Sequence, residues 1–464
     1  MAESVFSLAR LAQTISGRPV QDLAGWRAGQ MVSYGELAAR MADWSALLER
    51  HPGQQFALYL DDSLEFGAAL LGAWQAGKTI WLTADVLPAS CAALAASVDG
   101  FLGQFPPEHA PLTASAGGCA APDWGQLADE FPALVVHTSG STGAAQAIPK
   151  KLAQLGTEVQ TLEQLFGRHA AGAAVVATVT HQHIYGLLFK VLWPLVAGRP
   201  VHAHSVAFPE QLAPLLAHGP CVLVASPAHL KRLPDQLAWR AAATQLRAVF
   251  SSGGPLPYDS ALAAGALLGR VPFEIYGSSE TGGVAWRQRS HAVPGDDSWQ
   301  ALPGVAWRID EDGALHVRSA HLADEGWLQL ADRAQHTDGG HFVLLGRSDR
   351  IVKIEEKRIS LSVIEAALLA APQVADARVL VCEAPAGERQ QVAAVIVCSA
   401  AGRALLAGEG KLALNRRLRQ ALHGQVDAVA MPRRWRYLEQ LPINAQGKTT
   451  QALLLALLEP ADLS

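Results

Sequence analysis

The segment FALYLDDSLEFGAALLGAWQAGKTIWLT (56–83) contains a short apolar run, a helical pattern and a second apolar run. FALYL (56–60) has the length of a buried strand. DSLEFGAALLGAWQAGK (62–78) places apolar residues at helical spacing and closes on Gly77, a residue suited to helix C-termini. TIWLT (79–83) then reads as a second strand. Strand, helix and strand at this spacing form a βαβ unit and predict a largely parallel sheet.

The same alternation extends in both directions. SYGELAARMADWSALLER (33–50) is a predicted helix whose Ser33 and Glu36 make a capping box. Residues 105–124, rich in Pro, Ala and Gly, read as a connecting loop. ALVVHT (133–138) is a strand whose Gly/Ser-rich exit opens into a predicted helix, KLAQLGTEVQTLEQLFGR (151–168). AAVVATV (173–179), CVLVAS (221–226) and LRAVFSS (246–252) are further buried strands. From about residue 300 the texture changes to short strands, VAWRID, ALHVRS, GWLQLA and HFVLLGR, separated by Asp-Gly or Gly-Gly turns. After Gly346 a small α+β pattern follows: IVKI, a helix at 360–371, strands DARVLVCEA and QVAAVIVC, a helix at 412–422 and a last apolar helix. The expected fold class is α/β. A large N-terminal domain (1–346) has mostly parallel βα subdomains and a β-rich subdomain, and an α+β domain (350–464) follows it.

Composition narrows the function classes. The chain has 464 residues, 50% hydrophobic and 17% charged, enough for a large core and too apolar for wholesale disorder. Lys+Arg 37 against Asp+Glu 42 gives a net charge of −5, with no basic block, which disfavours nucleic acid and anionic membrane as partners. No run of about 18 apolar residues predicts a membrane span. The N-terminus, MAESVFSLARLAQ, lacks a signal-peptide pattern. Cys91, Cys119, Cys221, Cys382 and Cys398 are odd in number and form no C-x-x-C, so they predict neither a disulfide framework nor a zinc ribbon and suit the cytoplasm.

His137-Thr138-Ser139-Gly140-Ser141-Thr142-Gly143-Ala144 leaves a buried strand with two glycines and four hydroxyls. Backbone N–H groups in such a loop can form an anion nest, and the hydroxyls add donors. The alternative is an ordinary Ser/Thr/Gly loop. It is not a Walker A loop, because the G-K-[ST] ending is absent.

TSGSTG (138–143), YGSSETGG (276–283), LLGRSDRIVKIEEKRI (344–359) and LPINAQGK (441–448) occur in one order along the chain. Together they resemble the adenylate-forming (AMP-binding) superfamily of acyl- and aryl-CoA synthetases, nonribosomal-peptide adenylation domains and luciferases. The resemblance implies adenylation of a carboxylic acid by Mg·ATP with release of pyrophosphate, then transfer of the acyl group to the pantetheine thiol of CoA or of an acyl carrier protein.

By resemblance, Thr138, Ser139, Gly140, Ser141, Thr142 and Gly143 cradle the outer phosphates. Tyr276 stacks on adenine, Thr281 contacts the α-phosphate, and Glu280 binds Mg²⁺ as a hard oxygen ligand. Glu280 read alone is a solvated surface charge. Gly253 and Gly254 resemble the segment whose bare backbone lies against adenine and the acid. Asp332 takes the place of a ribose-binding aspartate, and Arg347 reaches the same sugar. Asp349 is the hinge residue of a 347–349 hinge about which the small C-terminal domain moves, and Lys448 is the cation at the reacting carboxylate. His183, Tyr185, Gly186 and Val284 are candidates for the acid pocket. A metal cluster of His169, His181 and His183 is disfavoured, since no carboxylate or cysteine lies close in sequence.

Three departures stand out. Ala145-Gln146 replaces the usual Pro-Lys, so the phosphate loop lacks a charge that Lys150 could replace. Glu356 replaces a glycine that usually borders the pantetheine tunnel. The segment AVVATVTHQH has no acidic residue, which disfavours an α-amino acid and favours an aryl or short-to-medium acyl acid. The pattern is similar to ligases that supply starter acids to pigment or aryl-polyene pathways. The alternatives are an acyl-AMP ligase with a non-thiol acceptor and a nonenzymatic nucleotide-binding derivative of the fold.

Overall fold

The computed structural model describes residues 6–27, 29–117, 122–139, 145–354, 357–382, 391–424, 426, 428–444 and 449–458. The chain forms two compact units. The first comprises 1–307 and 317–328, with 445–447; the second comprises 308–316, 329–444 and 448–464.

The first unit holds two sheets. In the five-stranded sheet the order is Gly100–Gly103, Gln55–Tyr59, Thr79–Leu82, Pro132–Ser139, Ala145–Lys151. The strands Gln55–Tyr59 and Thr79–Leu82 pair in parallel, Gln55 with Thr79 through Leu58 with Leu82. The helix Ser63–Gln75 joins them, so the predicted βαβ unit is present. Asp62 caps this helix, accepting from the N–H groups of Leu64 and Glu65 at 2.9 Å. Gly72 lets the helix approach its neighbour Tyr34–Glu49: a Cβ there would lie 2.6 Å from the Met41 carbonyl oxygen. The capping box forms as expected, with the Glu36 carboxylate accepting from Ser33 N–H and Ser33 Oγ accepting from Glu36 N–H. Trp44 and Trp74 are fully buried between these elements. Truncating either to alanine costs about 3–5 kcal/mol on the usual scale.

The nine-stranded sheet runs Gln300–Ala301, Gly282–Gln288, Phe273–Ser278, Leu246–Ser251, Cys221–Ala225, Ala174–Ala177, Val201–His202, Leu23–Arg27, Gln30–Ser33. Its central strands are parallel. The apolar runs CVLVA and AVVA are buried almost throughout, as expected for strands covered on both faces.

The second unit contains most of a four-stranded sheet of Ala306–Ile309, Ala314–Arg318, Leu328–Thr337 and His341–Arg347. A hairpin follows, Ile351–Ile354 with Lys357–Ser360. In the last sheet Val374–Cys382 pairs antiparallel with Gln391–Cys398, which pairs in parallel with Arg434–Leu438. Ile364, Leu368, Val379, Ile396, Leu414 and Leu418 form the core beneath it. The fold is thus mixed α/β with largely parallel sheets and a β-rich portion.

Two elements differ from expectation. The strand Ala145–Lys151, between the phosphate loop and the predicted helix, was not anticipated; the helix itself begins at Leu152, as expected. It returns antiparallel along Pro132–Ser139, and Pro149 falls within it. Proline is accepted there because this strand is the edge of its sheet. The strand Arg434–Leu438, RWRYL, was also not anticipated, because it is half-buried at four of its five positions and shows no period-two alternation.

Candidate active site

The strand Phe273–Ser278 turns through Ser279, Glu280 and Thr281 into the antiparallel strand Gly282–Gln288. The turn is tight. Gly282 has φ +64, and a Cβ on Gly277 would lie 2.2 Å from the Gly282 carbonyl oxygen. Inside it, Thr281 Oγ1 accepts from Ser278 N–H at 2.9 Å and donates to the Gly282 carbonyl at 2.7 Å, while Ser278 Oγ accepts from Thr281 N–H at 3.2 Å. Thr281 is therefore buried and its one proton is committed. Ser279 is buried as well, and Glu280 is exposed. The sequence thus folds locally to present one carboxylate on a rigid loop.

Neighbouring segments gather around this turn. Ser252, just beyond the parallel strand Leu246–Ser251, donates to the Ile275 carbonyl at 2.8 Å, which places Gly253 and Gly254 beside the strand of Tyr276. Gly253 has φ +88 and open space where a Cβ would be, so its glycine serves the backbone conformation. The half-buried Tyr276 ring lies 5.6 Å from that of Trp299. Val284 is fully buried, and its carbonyl accepts from Leu302 N–H at 2.9 Å.

His183 caps the helical turn Ile184–Gly186, its Nδ1 accepting from Tyr185 N–H at 3.4 Å. Tyr185 is buried and donates to the Ala225 carbonyl at 3.2 Å, at the C-terminal end of a parallel strand. Burial pushes its phenol well above the usual range. Gly186 has no alternative, since a Cβ would fall 2.0 Å from the Thr180 carbonyl oxygen. His181 is fully buried, with Nε2 2.7 Å from the Leu60 carbonyl, and His169 packs on Phe273. The next turn, Leu187–Leu192, is π-helical and carries Lys190, fully buried, with Nζ 3.0 Å from Ser205 Oγ. Burial lowers the Lys190 ammonium to about 7, against the opposing pull of Asp62 and Asp61.

Sequence reasoning did not anticipate the layer beneath the Glu280 turn. Lys150 is buried, and its Nζ donates to the carbonyls of Glu280 and His321, each at 3.1 Å. Gln154 Nε2 donates to the same His321 carbonyl at 3.0 Å. Glu158 Oε2 accepts from Gly283 N–H at 2.9 Å. Burial lowers the Lys150 ammonium below the usual lysine range, and Glu158 and Glu280 pull it back. The available signal was polar Gln154 and Glu158, one helical turn apart, among Leu155, Val159 and Leu162 on a buried face.

In the second unit, Asp332 and Arg347 are register partners on adjacent strands, and their side chains form an ion pair at 3.5 Å. Thr138 and Ser139 end the strand leading to the phosphate loop, opposite Gln146 and Ala145. Gly140, Ser141, Thr142, Gly143, Glu356 and Lys448 lie outside the described residues, as does the side chain of Asp349.

Residues 102–322 match the AMP-binding enzyme family. The chain is 31% identical over 326 residues to a 4-coumarate–CoA ligase of Rhodobacter capsulatus, covering 69% of this chain and 75% of that one. A probable 2-succinylbenzoate–CoA ligase of Mycobacterium tuberculosis is 28% identical over 399 residues, covering 80% and 95%. The crystal structure of ATP-bound MatB from Rhodopseudomonas palustris shares the fold, with a TM-score of 0.76 at 21% identity over 97% of this chain and 98% of that one. With a glycine-bounded carboxylate turn beside the strand returning from TSGSTG, and with relatives at this identity and coverage, the chain belongs to the AMP-binding enzyme family.

Proposed function

We propose that this protein activates an aryl or short-to-medium acyl carboxylic acid with Mg·ATP and hands it to the thiol of CoA or of a carrier protein's phosphopantetheine. The class of reaction is AMP-forming acid–thiol ligation. The observation that carries the choice of acid is the 31% identity to a ligase named for 4-coumarate. The lack of an acidic residue along AVVATVTHQH supports it.

The residues present fit the nucleotide and its metal. Glu280 is an exposed carboxylate on a braced turn, which suits a hard cation. Mg²⁺ bound there would supply charge neutralisation at the phosphates. Tyr276 offers its ring face to adenine, and Gly253 and Gly254 offer bare backbone. Asp332 accepts from ribose hydroxyls, and Arg347 reaches the same sugar. Thr281, the residue that contacts the α-phosphate in this reading, donates its Oγ1 proton to the Gly282 carbonyl, which tightens the turn. His183, Tyr185, Gly186 and Val284 shape the wall against the acid. Lys448 places an ammonium between the carboxylate oxygen and the α-phosphorus, favouring attack. A rotation at Asp349 then exchanges Lys448 for the thiol path, and the thiol sulfur attacks the acyl-AMP carbonyl carbon and expels AMP. Buried free thiols at Cys91, Cys221, Cys382 and Cys398 suit a reducing compartment, the cytoplasm.

The test is acid-dependent AMP release across a panel of aryl and acyl acids, with CoA and with a phosphopantetheinylated carrier protein. AMP release with an aryl acid and thioester formation is the expected result. Acid-dependent pyrophosphate exchange without any thioester would select a non-thiol acceptor. No acid-dependent AMP release from any member would overturn the reading.

A further inference from the structure

The buried layer under the Glu280 turn has a geometry that a phosphate ligand would not need. Lys150 stands four residues beyond Gln146, on the strand that returns from the phosphate loop, and from sequence it could replace the loop's missing cation. Its ammonium instead faces inward. It is 2% exposed, and two of its three protons go to the carbonyls of Glu280 and His321.

The contacts continue on the other side of the turn. His321 Nδ1 lies 3.0 Å from the Gly283 carbonyl, which can only accept, so Nδ1 carries the proton. Glu158 holds the Gly283 N–H with Oε2, while its Oε1 is buried with no hydrogen-bond partner among the described residues. The Gly282 and Gly283 backbone lies directly on this layer. A Cβ on Gly282 would sit 2.7 Å from the Glu158 carboxyl carbon, and one on Gly283 would sit 2.6 Å from Leu302 Cδ1. The main chain is thus fixed at Glu280 itself and at Gly283, while the Glu280 side chain is left exposed.

We infer that Lys150 is a positioning residue: with Gln154, Glu158 and His321 it fixes the turn that presents Glu280 to the metal, and it does not bind phosphate. This rests on the reading of Glu280 as the metal ligand. A carboxylate on a main chain held this way loses little freedom when it coordinates a cation, so the brace raises metal affinity without touching the metal. Buried Lys150 and Glu158 compensate each other's charge while each is spent on the turn's backbone.

The experiment measures ATP binding by calorimetry at a series of free Mg²⁺ concentrations, and also without divalent metal. It uses the full-length wild type, Lys150→Met, Glu280→Gln and the double variant, with a melting curve for each. Glu280→Gln is expected to raise the half-saturating Mg²⁺ about tenfold, Lys150→Met about three- to tenfold, and the double variant no more than Glu280→Gln alone, the non-additivity of residues acting through one group. Metal-free ATP affinity is expected to be the same with and without Lys150. A Lys150→Met protein with weakened metal-free ATP binding in both backgrounds would establish a direct phosphate contact and overturn the inference. So would an unshifted Mg²⁺ dependence in Lys150→Met when Glu280→Gln is shifted. If Glu280→Gln alone is unshifted, the metal-ligand reading fails and the inference falls with it; that arm separates the two failures. Should Lys150→Met not fold, Gln154→Leu keeps both Lys150 bonds and is expected to shift the Mg²⁺ dependence about twofold; no shift there would equally overturn the brace.

Discussion

Arg347 Nη1 stands 3.5 Å from Asp332 Oδ2, and the two residues are register partners across adjacent antiparallel strands. The strand ladder, not the ion pair, holds them together. The aspartate is mostly shielded and the arginine half-exposed, a combination that leaves the guanidinium accessible while orienting the carboxylate. Asp332→Asn is expected to weaken AMP binding about tenfold or more, the scale of losing charge-assisted hydrogen bonds to the ribose. Its melting temperature is expected to stay close to wild type, because a partly exposed pair adds little stability. Calorimetric titration with AMP checks the first and a melting curve the second, and unchanged affinity would remove Asp332 from the nucleotide site.

Glu280→Gln is isosteric and leaves the backbone bonds of the turn available. Acid-dependent pyrophosphate exchange is expected to fall about 10²-fold or more at limiting Mg²⁺, with the fold intact by circular dichroism. Wild-type exchange under those conditions would return Glu280 to the status of a surface charge.

Gln146 is exposed on the edge strand opposite Thr138. Since Lys150 is committed to backbone carbonyls, the missing loop cation is not replaced from there. Gln146→Lys is expected to tighten ATP or pyrophosphate binding by about 1–2 kcal/mol, the scale of one charge-assisted hydrogen bond. Equal affinities in the two proteins would show that position 146 points away from the phosphates.

Lys190 gives a pH signature. Its pKa falls from the ordinary 10.5 to about 7 in the folded chain, so between these values the unfolded chain binds more protons. Stability therefore rises with pH across that window. The penalty is complete below the folded value and gone above the unfolded one. The difference in melting temperature between wild type and Lys190→Met is expected to move in favour of wild type from pH 7 to pH 9. A difference that is flat with pH would mean that the lysine is not neutralised on folding.

Lys448 and Asp349 test the order of the two half-reactions. Lys448→Ala is expected to lose most adenylation from ATP and acid, yet to form thioester from supplied acyl-AMP at a near-normal rate. Asp349→Pro, by fixing φ at the hinge, is expected to impair one half-reaction and spare the other. Equal loss of both in a folded Lys448→Ala protein would refute alternation.

Much of the architecture was legible because its signals are local. Ser33 and Glu36 announce a helix start, and FALYL, CVLVA and AVVA have the length and composition of buried strands. The turn holding Glu280 was legible through its flanking glycines, one of which adopts a positive φ. What escaped depends on contacts far apart in sequence. Lys150 reaches carbonyls 130 and 171 positions away, and no spacing rule encodes such a meeting. The strand Ala145–Lys151 escaped because a proline argues against a strand until the edge position is known. RWRYL escaped because long or amphipathic side chains such as Arg434, Trp435 and Tyr437 can half-bury their stems while looking polar in sequence.

Pro149 has a further effect through what it withholds. It interrupts the donor row on the outermost strand of the five-stranded sheet. A second molecule seeking to extend that sheet meets a gap in the ladder and a buried neighbour, Lys150, with no freedom to turn outward. In a chain that is half hydrophobic, an unguarded sheet margin is an invitation to self-association. A proline at that position disfavours pairing of this margin with the same margin of a second copy.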